Sequence, residues 1–161
     1  MEYPLHYIIK NKLPQAELDS ILACIASHQE MIEEIRDTKN EKSRKIELLL
    51  KPRFQQLGYA HSVTNKDYPL FSENSLFEID FFHPHSGIAI EIERSNLYTK
   101  VWLALVKMLE SDLVRHGLIF VPIRRFVRNS KENSYELTYK RLRDNAHNLL
   151  RHLESLIVVG Y

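Results

Sequence analysis

The residues of this sequence best suited to take part in chemistry are four carboxylates in two short alternating segments. The first segment reads Phe-Glu-Ile-Asp-Phe-Phe and the second reads Ile-Ala-Ile-Glu-Ile-Glu. Because side chains alternate across a β-strand, Glu78 and Asp80 share one face of the first segment, and Glu91 and Glu93 share one face of the second. Hard divalent cations such as Mg²⁺ prefer oxygen ligands, so this pattern indicates a candidate metal site.

The two segments are predicted to pair as one β-hairpin, because Pro-His-Ser-Gly between them is typical turn chemistry. A turn closed there, with the apolar faces together, places Asp80 opposite Glu91. It also places Glu78 opposite Glu93. Like charges directly opposite destabilise a sheet, so a proton, a cationic side chain or a metal ion must compensate, and the backbone carbonyl of Ile92 is a candidate further ligand. A solvated acidic face of the hairpin is the alternative interpretation.

Hydrophobic periodicity predicts the elements that position this hairpin. Helical spacing of apolar residues predicts four helices, at residues 14–37, 41–57, 97–116 and 135–156, the second of them kinked at Pro52. Further strands are predicted at residues 59–65, as an edge strand, and at 118–123, with a strand or extended arm at 2–10 and loops at 66–75 and 124–133. Strands interleaved with helices indicate an α/β fold with a mixed sheet that helices cover on both faces.

Length and composition exclude several classes of function. The 161 residues suit one domain, 1–161, and 22 Lys and Arg against 21 Asp and Glu give no strong net charge. The four glycines stand far apart, which excludes glycine-rich phosphate loops and therefore predicts no nucleotide cofactor. A single cysteine excludes a disulfide framework within the chain. Without a long apolar run or a signal sequence, we expect no membrane span and a cytoplasmic protein.

The carboxylate pattern resembles the signature of the PD-(D/E)xK nuclease superfamily, in which an acid on one core strand is followed on the next by an acid, any residue and usually Lys. Here ten residues separate Asp80 from Glu91, and Glu93 stands where the Lys is usual. That second Glu, with the continuation Arg-Ser-Asn-Leu-Tyr, resembles the BglII-like and BamHI-like type II restriction endonucleases. The order of elements also resembles the αβββαβ core of the superfamily, over about residues 41–123.

The resemblance implies a restriction-endonuclease-like α/β/α sandwich, with helices added at both ends, that hydrolyses phosphodiester bonds of DNA with Mg²⁺, or with Mn²⁺ as a substitute. It implies that Asp80, Glu91 and the carbonyl of Ile92 hold the metal. It also implies that Glu93 orients or deprotonates the attacking water, or binds a second metal. Glu47, on the helix before the hairpin, is the candidate for the further acid that members often supply, and an ordinary surface glutamate is the alternative.

Basic residues after the hairpin are candidates for contact with nucleic acid. Lys100 and Lys107 follow on the next helix, and either is a candidate to replace the missing Lys of the signature. Residues 124–151 contain eight Lys or Arg and three acids. The cluster that opens this segment, Arg124, Arg125 and Arg128, is suited to neutralising phosphates. A solvated surface position is the alternative for each.

Three classes of function and one question of assembly stay open on the sequence alone. The first class is the endonuclease, and the second is a nuclease-like DNA-binding or assembly subunit that no longer cleaves. The third, a metal-independent enzyme with paired carboxylates such as a glycosidase, is disfavoured by the single Trp. A second apolar stripe on the predicted helix 97–116, with Trp102 at its centre, predicts either a symmetric homodimer or packing within the chain.

Overall fold

The computed structural model describes residues 2–161. The strands are β1 (Leu5–Lys10), β2 (Ala60–Val63), β3 (Ile79–His83), β4 (Ile88–Ile92), β5 (His116–Val121), β6 (Arg125–Val127), β7 (Ser130–Glu132) and β8 (Ser155–Gly160). The helices are α1 (Gln15–Ala26), α2 (Gln29–Asp37), α3 (Ser43–Gln56), α4 (Leu97–Glu110) and α5 (Ser134–Asn145), followed by a 3₁₀ helix (Leu149–His152). None of the helices in this range is both long and apolar enough to cross a membrane.

Six of the strands form one mixed sheet in the order β1-β8-β5-β4-β3-β2. The pairs β1–β8, β3–β4 and β2–β3 are antiparallel, whereas β4–β5 and β5–β8 are parallel. The run α3-β2-β3-β4-α4-β5 reproduces the predicted αβββαβ order. The predicted α/β fold with a mixed central sheet, of the restriction-endonuclease type, is therefore confirmed.

Helices cover both faces of this sheet, because the strands alternate apolar side chains between two cores. Phe81 and Ile90 belong to the core beneath α1, α2 and α3. Phe82 and Ala89 belong to the core beneath α4 and α5. Asp80 and Glu91 therefore continue the rows that lie on the α4 side.

The hairpin β3–β4 has the predicted register, since Phe82 pairs with Ala89 and Phe81 with Ile90. Gly87 closes the turn with φ +71°, a left-handed conformation that glycine adopts without strain. The regular ladder ends at Phe81. Beyond it, the N–H of Ile92 donates to Asp80 Oδ2 at 2.7 Å. A carboxylate therefore replaces a backbone acceptor where the acidic residues begin.

Two helices end earlier than predicted. The predicted helix 14–37 is two helices, because the Ser27 hydroxyl donates to the carbonyl of Cys24 at 2.8 Å and the ring of His28 also lies against that carbonyl. Such local side-chain bonds compete with helix continuation. The predicted helix 97–116 ends at Glu110, since Ser111 is extended, and β5 starts at His116.

The carboxyl-terminal third also differs from the prediction. The predicted helix 135–156 ends at Asn145, and residues 155–160 form β8 in the middle of the sheet. The run Leu-Ile-Val-Val within β8 suits a strand buried on both faces, although the preceding leucines continue a helical spacing. The predicted loop 124–133 contains the hairpin β6–β7. Residues 2–10, left open between strand and arm, contain edge strand β1.

The second apolar stripe of α4 is only partly covered by the described residues. Trp102 is half-buried against the core beneath α4 and α5. Val106 remains 49% exposed, and Leu113, which the prediction placed on the same stripe, lies beyond the end of α4 and is 39% exposed. Packing within the chain therefore accounts for part of the stripe, and the homodimer stays a prediction.

Candidate active site

Asp80, Glu91 and Glu93, predicted from the alternating segments, lie together at the carboxyl end of β4. The carboxyl groups of Asp80 and Glu91 lie close enough together for each to affect the pKa of the other, and Glu91 is only 1% exposed. The backbone of Glu93 is fixed at both ends: its N–H donates to the carbonyl of Phe120 at 2.9 Å, and its carbonyl accepts from the hydroxyl of Tyr161 at 2.8 Å. The sheet itself thus positions the three carboxylates.

The three carboxylates hold protons more tightly than free acids do. Burial, and then the charge of Asp80, raises the pKa of Glu91 well above its usual range. Burial and then Glu47 raise the pKa of Asp80. Burial and then Asp80 raise the pKa of Glu93 to about 7. A cation bound between these groups would relieve this cost, because an opposite charge favours the ionised form of a carboxyl group.

Glu47, the predicted fourth acid, points from α3 into the same cluster. It is 5% exposed, and its charge raises the pKa values of both Asp80 and Glu93. Its Oε1 lies 3.0 Å from His61 Nε2 and 3.3 Å from Arg44 Nη1. Burial lowers the pKa of His61 and raises the pKa of Glu47.

Both predicted lysines of α4 reach the carboxylates. Lys107 Nζ is in ion-pair contact with Glu91 Oε1 and donates to the carbonyl of Glu78 at 2.7 Å. Lys100 Nζ lies 3.9 Å from Glu93 Oε2. The two lysines are two helical turns apart and therefore lie on the same face of α4. Lys107 is the cationic side chain that the facing carboxylates require.

Asp80 and Glu91 fit a divalent cation. Mg²⁺ is commonly held by one or two carboxylates together with waters and substrate phosphates, and these two side chains supply such a pair. Within residues 2–161, no group of three or more His, Cys, Asp or Glu side chains has the geometry of a metal centre. The Ile92 N–H orients Asp80, and the Ile92 carbonyl as a ligand stays a prediction.

Arg94, which the sequence analysis missed, connects the cluster to the loop between α2 and α3. Its guanidinium donates to the carbonyl of Glu41 at 2.6 Å, to that of Arg36 at 3.1 Å, and to that of Thr38. Because Arg94 directly follows Glu93, these bonds hold the loop against the end of β4. The only sequence signal for this role was the position of Arg94 beside the signature. Nothing in the sequence indicated that its partners would be the carbonyl groups of distant residues.

The predicted phosphate-binding arginines lie on and beside the hairpin β6–β7. Arg124 and Arg128 are exposed, and Arg125 Nε lies 2.9 Å from Glu132 Oε1. Arg125 and Arg128 line a groove that Arg94 also lines. The structure therefore brings two of the three arginines to the same side of the molecule as the end of β4.

Comparisons with known proteins give one family. No curated protein and no solved structure matches the chain. A family model described as "Putative halobacteria restriction endonuclease" matches residues 6–161, a span that contains every residue of the carboxylate cluster. The chain belongs to this restriction endonuclease family.

Proposed function

We propose that the protein is a Mg²⁺-dependent endonuclease of the PD-(D/E)xK type, close to the BglII-like and BamHI-like enzymes, that hydrolyses phosphodiester bonds of DNA in restriction or defence. The observation that carries the proposal is the buried contact between Asp80 and Glu91 with Lys107 beside it. Membership of a restriction endonuclease family and the order of the elements around β3 and β4 support it.

Asp80 and Glu91 are the proposed metal ligands, with the Ile92 carbonyl as a third. When bound there, Mg²⁺, or Mn²⁺ in its place, would polarise the scissile phosphate and lower the pKa of the attacking water. The Ile92 N–H fixes the direction of Asp80, and Lys107 fixes Glu91. Both carboxylates are thus oriented before substrate arrives, which is what precise catalysis requires.

Glu93 is the proposed group that takes the proton from the attacking water. Its pKa of about 7 lies near neutral pH, where a general base is most effective. Glu93 and Glu47 are also the acids placed to hold a second metal. We assign the work of the missing signature Lys to Lys107, because it contacts Glu91, whereas Lys100 lies 3.9 Å from Glu93.

Incubation with plasmid DNA tests this function. The wild type should nick or linearise the plasmid with Mg²⁺ or Mn²⁺ and leave it intact in EDTA. Glu91→Ala should abolish cleavage while the circular dichroism spectrum stays native, whereas Glu110→Ala, at the exposed end of α4, should cleave normally. Cleavage that persists in EDTA or in Glu91→Ala would contradict the proposed site.

A nuclease-like DNA-binding or assembly subunit is the second candidate. It is favoured by one observation: the ion pair with Lys107 already compensates the charge of Glu91. This candidate predicts that the wild type binds DNA without cutting it in Mg²⁺ or Mn²⁺. A binding measurement beside the plasmid assay therefore separates the two functions.

The arginines beside and on the hairpin β6–β7 should control the salt dependence of DNA binding. The triple replacement of Arg124, Arg125 and Arg128 by Ala should weaken binding, and each lost phosphate contact should reduce the slope of log K against log salt by about 0.9. Arg53→Ala, at the far end of α3, should leave the slope unchanged. Fluorescence anisotropy over a salt series measures the affinity and the slope. An unaltered slope in the triple variant would show that these arginines are solvated surface residues that do not contact DNA.

A further inference from the structure

A groove of about 800 Å³ adjoins the end of β4 and is separate from the carboxylate cluster. One wall is the end of α2 with the loop between α2 and α3, residues 36–42, and the other is the hairpin β6–β7. Arg94, Ser95 and Pro122 complete the lining between the walls. Because Arg94 and Ser95 directly follow Glu93, a linear polymer lying in the groove would pass beside the carboxylates where it leaves the groove.

The groove carries an excess of positive charge. Its charged lining residues are Arg36, Asp37, Lys39, Glu41, Lys42, Arg94, Arg125 and Arg128. Arg36 is paired with Asp37, Arg125 with Glu132, and Arg94 with backbone carbonyls. For Lys39, Lys42 and Arg128, no ion pair is present within residues 2–161. These three cations stand on both walls, where a phosphate chain between the walls would meet them.

Phe126 gives the groove an aromatic surface. It lies on β6, lines the groove, and is 70% exposed. Its ring takes part in none of the aromatic contacts of the described residues. A basic groove that follows the backbone, together with an aromatic side chain for a base to stack on, is the arrangement of sites for single-stranded nucleic acid.

We propose that this groove binds a single-stranded segment of the DNA substrate. In the bound state, phosphates contact Lys39, Lys42 and Arg128, and one unpaired base stacks on Phe126. The inference rests on the proposed function and deepens it: DNA with unpaired bases beside the bond that is cut is the preferred form of the substrate. Charge complementarity on both walls favours this occupant over an apolar partner.

Binding of labelled DNA in EDTA, where cleavage is prevented, tests the groove. The two probes are a blunt duplex and the same duplex with a single-stranded extension that carries 2-aminopurine. We expect tighter binding of the extended probe and quenching of its 2-aminopurine by stacking. Phe126→Leu should weaken binding of the extended probe by about tenfold, because the stacking of one base on the aromatic ring is lost. Phe126→Trp should retain the affinity and the quenching, and the blunt duplex should bind all three proteins equally.

Cleavage of the extended probe in Mg²⁺, measured in parallel, separates this inference from the proposed function. If Phe126→Leu binds the extended probe and quenches its 2-aminopurine as the wild type does, the proposed role of the groove is overturned. Cleavage of the probe would still support the proposed nuclease activity. If Phe126→Leu lost binding of the blunt duplex together with that of the extended probe, the proposed role of the groove would also be overturned. That result would indicate that Phe126 contacts paired DNA. The predicted binding pattern without any cleavage would support the groove and overturn the nuclease. Lys39→Gln should weaken binding of the extended probe, whereas Arg53→Gln should not.

Discussion

Replacing Asp80 by Asn should stop DNA cleavage and also raise the melting temperature of the metal-free protein at pH 8. Asn keeps an oxygen that can accept the N–H of Ile92, so the local backbone is preserved. It removes the negative charge that raises the pKa values of Glu91 and Glu93. Cleavage should fall by more than about 100-fold, the upper loss for groups that only support a metal ligand.

The stabilisation has a defined dependence on pH. The raised pKa of Asp80 means that its contribution to stability is present at low pH and is lost as the pH rises through the folded-state pKa. Asp80→Asn should therefore match the wild type in acid and exceed it at pH 8, by about 2–4 °C for each kcal/mol of relieved repulsion. Thermal unfolding in EDTA measures this, with Glu78→Gln as the control for an exposed acid on the same strand segment. A variant less stable than the wild type at pH 8 would show that Asp80 is not under electrostatic strain.

Mg²⁺ should stabilise the wild type far more at pH 8 than at pH 5. The pKa of Glu93 is raised from 4.5 to about 7, so its stabilising contribution is complete below about pH 4.5 and is lost as the pH rises to about 7. Above that pH Glu93 is ionised and repels the neighbouring acids, and a cation gains most by binding there. At a concentration 100 times its Kd, a ligand of the native state adds about 2.7 kcal/mol, which corresponds to about 5–10 °C here.

Differential scanning fluorimetry with Mg²⁺, and with NaCl at equal ionic strength as the control, measures this shift. Glu91→Gln should remove most of the response to Mg²⁺, because one of the two proposed ligands is lost. A wild type with the same melting temperature in millimolar Mg²⁺ and in EDTA at pH 8 would argue against a cation site at Asp80 and Glu91.

The hairpin and its acids were predictable because they depend on local rules. Alternation fixes which side chains share a face, the turn before Ile88 fixes the register, and the structure confirms the pairing of Phe82 with Ala89. The flank position of Glu47 and the spacing of the α4 lysines also placed side chains that the structure brings to the cluster. Hydrophobic period and residue spacing were sufficient to place these side chains, because each of them lies on a single helix or strand.

The partners contributed by distant segments were not predictable. His61 reaches Glu47 only because β2 pairs beside β3, and Arg94 binds carbonyls more than 50 residues away. The sequence predicts no strand at β8, and the predicted helix 135–156 extends to its first two residues because the leucines at 149, 150 and 153 continue the stripe of α5. There, long-range burial between two strands overrides a local helical pattern.

The central place of β8 has a consequence for the order of events during synthesis. Ile157 pairs with Ile8 on one side and with Leu118 on the other. Strand β8 therefore brings the two ends of the described chain together inside the sheet. Contacts between such distant residues form late, and the Tyr161 hydroxyl that supports Glu93 arrives with them. The segment that carries the acids leaves the ribosome well before β8. We expect a nascent chain to lack a finished site until the residues of β8 have been added and have left the ribosome.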